Sequence, residues 1–146
     1  MTTTFRADTR DGALIHLQGF AAANTSFNLS VYPNRPNAFG NRPLAYVLLG
    51  SEDINHTGTT LYQRLMTGFQ FVFVWASSAD QAELAPIRDD VIDAFITYGM
   101  AHVHLVSNQT VSTPTRVEDV ELELDGAFYP ASIVTHGDTL ALQGSL

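Results

Sequence analysis

The chain has 146 residues, 45% hydrophobic and only 15% charged, which suits one folded domain with a sizeable core and argues against disorder throughout. It has no cysteine, which excludes disulfides, thiolate metal sites and cysteine nucleophiles together. Its seven basic residues are all Arg and its fifteen acids leave a net charge of −8, so it lacks the bulk positive surface that general binding to nucleic-acid phosphates needs.

In chain order, the polar start MTTTFRADTRDG carries no apolar signal segment. The spacing predicts a helix over 8–22, with Ala13, Leu14, Leu17, Phe20 and Ala21 on one stripe and Asp8 or Thr9 as its cap. Phe27, Leu29 and Val31 alternate with Asn28, Ser30 and Tyr32 as a half-buried strand. Pro33 to Pro43 holds three prolines in eleven residues, so it reads as a long ordered loop or an extended arm. Tyr46 to Leu49 suits a strand covered on both faces, and Ser51 to Thr60 reads as polar and turn-rich.

A long β segment follows from Leu61 to Trp75, with a break expected at Met66-Thr-Gly68. Phe69, Phe71, Phe73 and Trp75 share one face; Gln70, Val72 and Val74 share the other. An aromatic row of this kind packs under a helix or forms a subunit contact, and the core reading is the stronger because large aromatics in a row are usually buried. Ser78-x-x-Gln81 fits a capping box, with a short helical turn at 79–84 and a helix from Pro86 to Tyr98. Its stripe is Ile87, Val91, Ala94, Phe95 and Tyr98, with Gly99 ending it.

The remainder reads as β. Val103 and Leu105 alternate with His102 and His104, and Asn108 to Pro114 is a loop. Val120, Leu122 and Leu124 alternate with Glu121, Glu123 and Asp125. Phe128 to Thr135 is a strand, His136-Gly-Asp138 a turn, and Leu140 to Leu142 closes a hairpin. The predicted class is α+β: a single mainly antiparallel sheet with two helices on one face and a long β segment or hairpin, in one domain over 1–146.

Catalytic signals do not converge. His102 and His104 could ligate a metal with a distant carboxylate, giving a small metal-binding enzyme as one reading, but no third ligand is set by spacing. His136 and Asp138 sit where a turn needs Gly and Asp for backbone reasons. Asp89, Asp90 and Asp93 lie on a solvated helix side. No nucleophile elbow and no Gly-rich phosphate loop occur. The expectation is a protein with no catalytic, metal or cofactor residues. Charge is uneven: residues 1–43 hold four Arg against two Asp, +2, and residues 44–146 hold three Arg against thirteen acids, −10. Copies of such a chain could pair head to tail.

The element order is also familiar. A helix leads to a strand ending in Val31-Tyr-Pro-Asn-Arg-Pro36. Ala45-Tyr-Val-Leu-Leu-Gly50 comes next, then a segment with Arg64 early and Phe71-Val-Phe-Val-Trp75 late, a helix from near Ser78, and a C-terminal meander. This resembles the tail terminator, or tail completion, proteins of long-tailed bacteriophages. The resemblance implies a structural virion protein of the tail neck, assembled in the host cytoplasm and forming a homohexameric ring. Such a ring caps the tail tube, stops its polymerisation and offers a surface for head joining. A head–tail stopper or other minor tail protein is the alternative within the same class. The implied partners are the chain itself, the tail tube protein, a head-completion or stopper protein, and DNA that passes without specific binding; no membrane and no cofactor is implied. By position, subunit contacts are expected at Arg35, Phe39, Arg42, Tyr62 and Arg64, and Glu121, Glu123 and Asp125 would face solvent or a channel.

Overall fold

The aromatic alternation of Gln70–Val74 organises the molecule. In the computed structural model, which describes residues 5–56, 61–76, 81–101, 105–106, 109–110, 113–137 and 139–144, this strand lies at the centre of a five-stranded sheet. The elements in chain order are α1 (Phe5–Ala23), β1 (Ser30–Tyr32), β2 (Leu44–Leu48), β3 (Ser51–His56), β4 (Leu61–Thr67), β5 (Gln70–Val74), α2 (Gln81–Ala101), β6 (Leu105–Val106), β7 (Gln109–Thr110), β8 (Pro114–Leu124), β9 (Ala127–His136) and β10 (Thr139–Gly144). The main sheet has the order β1-β2-β5-β9-β8, antiparallel except for the parallel β1–β2 pair. A three-stranded sheet has the order β10-β4-β3, and β6 pairs with β7. The expected α+β class is therefore what the chain adopts.

The two larger sheets are one ribbon system bent along a line. Leu48 pairs with Gln70 and Ser51 with Thr67, which is a single unbroken register across the gap between β2 and β3 and between β5 and β4. Thr135 pairs with Gln70 and Thr139 with Met66, again one register from β9 into β10. Each of the three adjacent strands carries a glycine at the bend: Gly50, Gly68 and Gly137. The ladder is interrupted at these three positions and resumes beyond them in the same register, and Gly68 takes a φ of 67° that glycine adopts without strain. The break expected near Gly68 is this bend.

The bend corrects two readings. Residues 51–56 are a strand, not a turn, because an edge strand can be held by backbone bonds to β4 alone and needs no apolar alternation. Leu140 to Leu142 do not form a hairpin with β9 but continue it and pair with β4.

Both helices cover one face of the main sheet. The buried stripe of α1 is Thr9, Ala13, His16, Leu17 and Phe20, at helical spacings. Thr9 is thus a buried stripe residue and not a cap, since the helix already runs from Phe5. On α2, Leu84, Val91, Ile92 and Phe95 are buried, whereas Ile87 is exposed. α2 is continuous through Pro86, because a proline six residues into a helix removes a single bond close to its frayed start. Gly99 does not end α2; it is buried inside it, where a Cβ would sit 3.0 Å from Pro114 Cγ, so the small residue lets β8 approach. Phe69, Phe71, Phe73 and Trp75 all pack in this layer, with the Phe95 ring 5.2 Å from Phe71 and 5.0 Å from Phe73. His16 and His136 are buried here too, His136 ending β9 with its ring 4.7 Å from Phe71. Ser78, Asp138, His102 and His104 lie outside the described residues.

Candidate assembly surface

Among the described residues no helix covers the second face of the main sheet. Leu44 and Tyr46 of β2 and Val72 and Val74 of β5 form an apolar layer, extended by Leu122, Leu124, Tyr129 and Ile133 of β8 and β9. Residues 33–43 cover it. A Pro-rich segment cannot pair as sheet, so it lies across the sheet as an irregular strap. Phe39 is its anchor, only 5% exposed, stacked 6.4 Å from Tyr46 and edge-on at 5.1 Å to Tyr129. Arg35 donates from Nη2 to the Glu123 carbonyl at 2.9 Å and lies 5.3 Å from the Phe39 ring centre. Arg42 sits 5.0 Å over the Tyr129 ring, and the Arg42–Pro43 bond is cis. Burial raises the Tyr46 hydroxyl above its ordinary pKa, while the Arg35 charge pulls the other way.

The β8–β9 hairpin extends past the sheet. β5 pairs with β9 only as far as Ala131, whereas β8 and β9 stay paired out to Leu124 and Ala127. Asp125 and Gly126, both at positive φ (53° and 82°), make the two-residue turn whose twist matches the strands. Glu121 and Glu123 are exposed on the projecting part, opposite Pro130 and Phe128 in the register. Phe128 is itself 63% exposed. Asp125 belongs to the turn and not to that strand face. Nearer the base, Trp75 Nε1 donates to Ser132 Oγ at 3.0 Å, and Ser132 donates to Asp119 Oδ1 at 2.6 Å. Arg88 of α2 stands 3.8 Å from the same carboxylate. This chain of polar contacts locks the hairpin base to the core and to α2.

The residues expected at a subunit contact are not gathered in one place. Arg35, Phe39 and Arg42 meet on the strap. Tyr62 and Arg64 are on β4, beyond the bend. Arg64 is ion-paired with Glu52 of β3, which also meets Arg6 of α1 at 3.4 Å. The Arg64 hydrogen bond holds the Glu52 carboxyl below its ordinary pKa, against the opposing effect of burial. Sequence reasoning missed that the strap closes on its own sheet. The signal was present in Phe39 flanked by two Arg, but nothing periodic says which aromatic face it seeks. It also missed the two core histidines, although His16 falls at the right helical spacing from Ala13 and Phe20. Among the described residues no group of three or more His, Asp or Glu gathers as a metal site.

Two helices on one face of a bent, mainly antiparallel sheet, with a strap on the other, define the class of fold. The chain is similar in structure to a solved chain described as "Virion of native gene transfer agent (GTA) particle", with a TM-score of 0.53 and 16% identity over 96% of this chain and 100% of that one. At that identity the shared property is the fold. No family profile matches the chain, and no curated protein matches it.

Proposed function

We propose that this protein is a structural component of a phage-like particle that closes the tail tube as a homohexameric ring, stops its polymerisation and presents the surface for head joining. The observation that carries the reading is the end-to-end structural likeness to a chain of a gene transfer agent virion. Two features of the chain support it. Its strap, its projecting hairpin and its β8 edge carry exposed charged groups, Arg35 and Glu121 and Glu123 among them, on elements able to meet neighbours. Its opposite sheet edges, β1 and β8, differ in sequence and charge, so contact between them is heterologous and closes only as a ring or runs on as a filament. In this reading the protein resides in the virion neck, with the tube protein, a head-completion protein and passing DNA as its neighbours. Glu121 and Glu123 would repel phosphates if they line the channel.

Particles made without the protein test the reading. Tails of uncontrolled length that fail to join heads are expected. Tails of normal length that still join heads would sink it, and normal-length tails without heads would favour a stopper.

A further inference from the structure

The β8–β9 hairpin is braced on one face and bare on the other. Leu122, Leu124 and Tyr129 pack in the strap layer, and the Arg35 bond to the Glu123 carbonyl ties the strap to the arm. Alternation puts Glu121, Glu123, Phe128 and Pro130 on the opposite face, the side of the sheet that the helices cover. That cover reaches Asp119, where Arg88 of α2 stands 3.8 Å from the carboxylate, and Ser132 beside it is buried. Phe128 lies four residues farther out along β9, about 13 Å at the usual strand rise, and is 63% exposed. A single exposed aromatic is ordinary on a protein surface. This one stands on an arm that outruns its own sheet, with its turn and its back face held in place. Such an arm loses little freedom on docking, and an aromatic anchor inside a polar rim is the usual build of an interface hot spot.

The rim sets the chemistry of the partner. Glu121 and Glu123 share the face of Phe128 and neither is ion-paired among the described residues, so the matching surface is cationic around an apolar pocket. A second copy of the chain is poorly equipped to supply one. It has no Lys. Five of its seven Arg face a carboxylate or a carbonyl of their own chain, Arg42 lies over Tyr129, and Arg10 is half-buried with its Nε shut off from solvent. We propose that this face of the hairpin is a docking arm for a different protein, one with an apolar pocket edged by Lys or Arg, and that this protein is the tail tube at its open end. The last step rests on the ring reading: a tube that can still grow ends in an unfilled subunit-binding surface, which is where a capping protein sits. It also takes Glu121 and Glu123 out of the channel and sets them against protein.

Co-sedimentation with tail tubes purified from particles made without the protein tests the arm. Phe128→Asp should weaken binding to the tubes by about tenfold or more while the Tm of the free chain and its self-association stay as in the wild type. Glu121→Lys combined with Glu123→Lys should also weaken it. The wild type should bind less as salt rises, and this double variant should lose that dependence. A Tm of Phe128→Asp lowered as far as that of Phe71→Ala would show that the chain itself covers Phe128, and the arm would be wrong. Loss of self-association in the absence of tubes would make the face a contact between copies and overturn the choice of partner. Variants that still form rings and bind tubes like the wild type would overturn the arm and leave the ring reading standing. A wild type that neither forms rings nor binds tubes would overturn both.

Discussion

The two faces of the main sheet are buried by different means. One is covered by α1 and α2, whose side chains repeat at the helical period and meet a row of aromatics repeating at the strand period. The other is covered by eleven residues without regular structure, held by one buried aromatic and two Arg that stack on rings or bond a carbonyl. The difference teaches where sequence is readable. A periodic stripe announces both its own structure and the kind of surface it needs. A strap announces only that it is neither helix nor strand.

Breaking each face in turn gives the largest effects. Phe71→Ala, under Phe95 and His16, should cost about 3–5 kcal/mol and leave little soluble protein, as measured by denaturant unfolding. Near-normal melting would mean the aromatic row is not a core. Phe39→Ala should cost less, about 2–3 kcal/mol, because the strap layer is thinner and the site can collapse further. That loss must appear in the monomer. A variant with unchanged monomer melting but impaired association would make Phe39 a subunit contact instead.

The comparison also accounts for what the sequence reading located and what it lost. Val91 and Phe95 were legible on α2, as were Phe69 to Trp75 on the central strand, because burial on one side imposes a period. Ile87 was wrongly placed on the stripe since it fits the period yet lies near the start of α2, where it stays exposed. β3 was lost because Ser51–His56 holds its place by backbone pairing, which leaves no mark on side-chain polarity. The three-strand bend was visible only as isolated glycines, since alignment of Gly50, Gly68 and Gly137 requires knowing the register. Arg35 and Arg42 were legible as unusual residues on the strap, but their partners within the chain, the Phe39 and Tyr129 rings and the Glu123 carbonyl, were not, because no periodicity links them.

Smaller changes sharpen the contrast between the core and its extensions. Gly126→Ala places a Cβ at a φ of 82° and should cost about 1–2 kcal/mol, lowering Tm while the helix signal in far-UV dichroism persists. An unchanged Tm would show that the hairpin tip tolerates another turn. The smallest effect is expected at the bend's far side. Glu52, held below its ordinary pKa mainly by Arg64, contributes stability that is present above the usual Glu range and is lost as pH falls through the lowered folded value. Glu52→Gln should therefore cost up to about 1 kcal/mol at neutral pH. The Tm gap between variant and wild type should close on acidification below pH of about 4. A gap that is constant with pH would assign the loss to packing and not to the ion pair.

The central claim is a ring at the end of a tube, and imaging of purified tails bearing a tagged copy of this chain tests it most directly. The account predicts one ring of this protein at the head-proximal end of each tail and none along its length. Copies spread along the tube, or absent from finished particles, would contradict it.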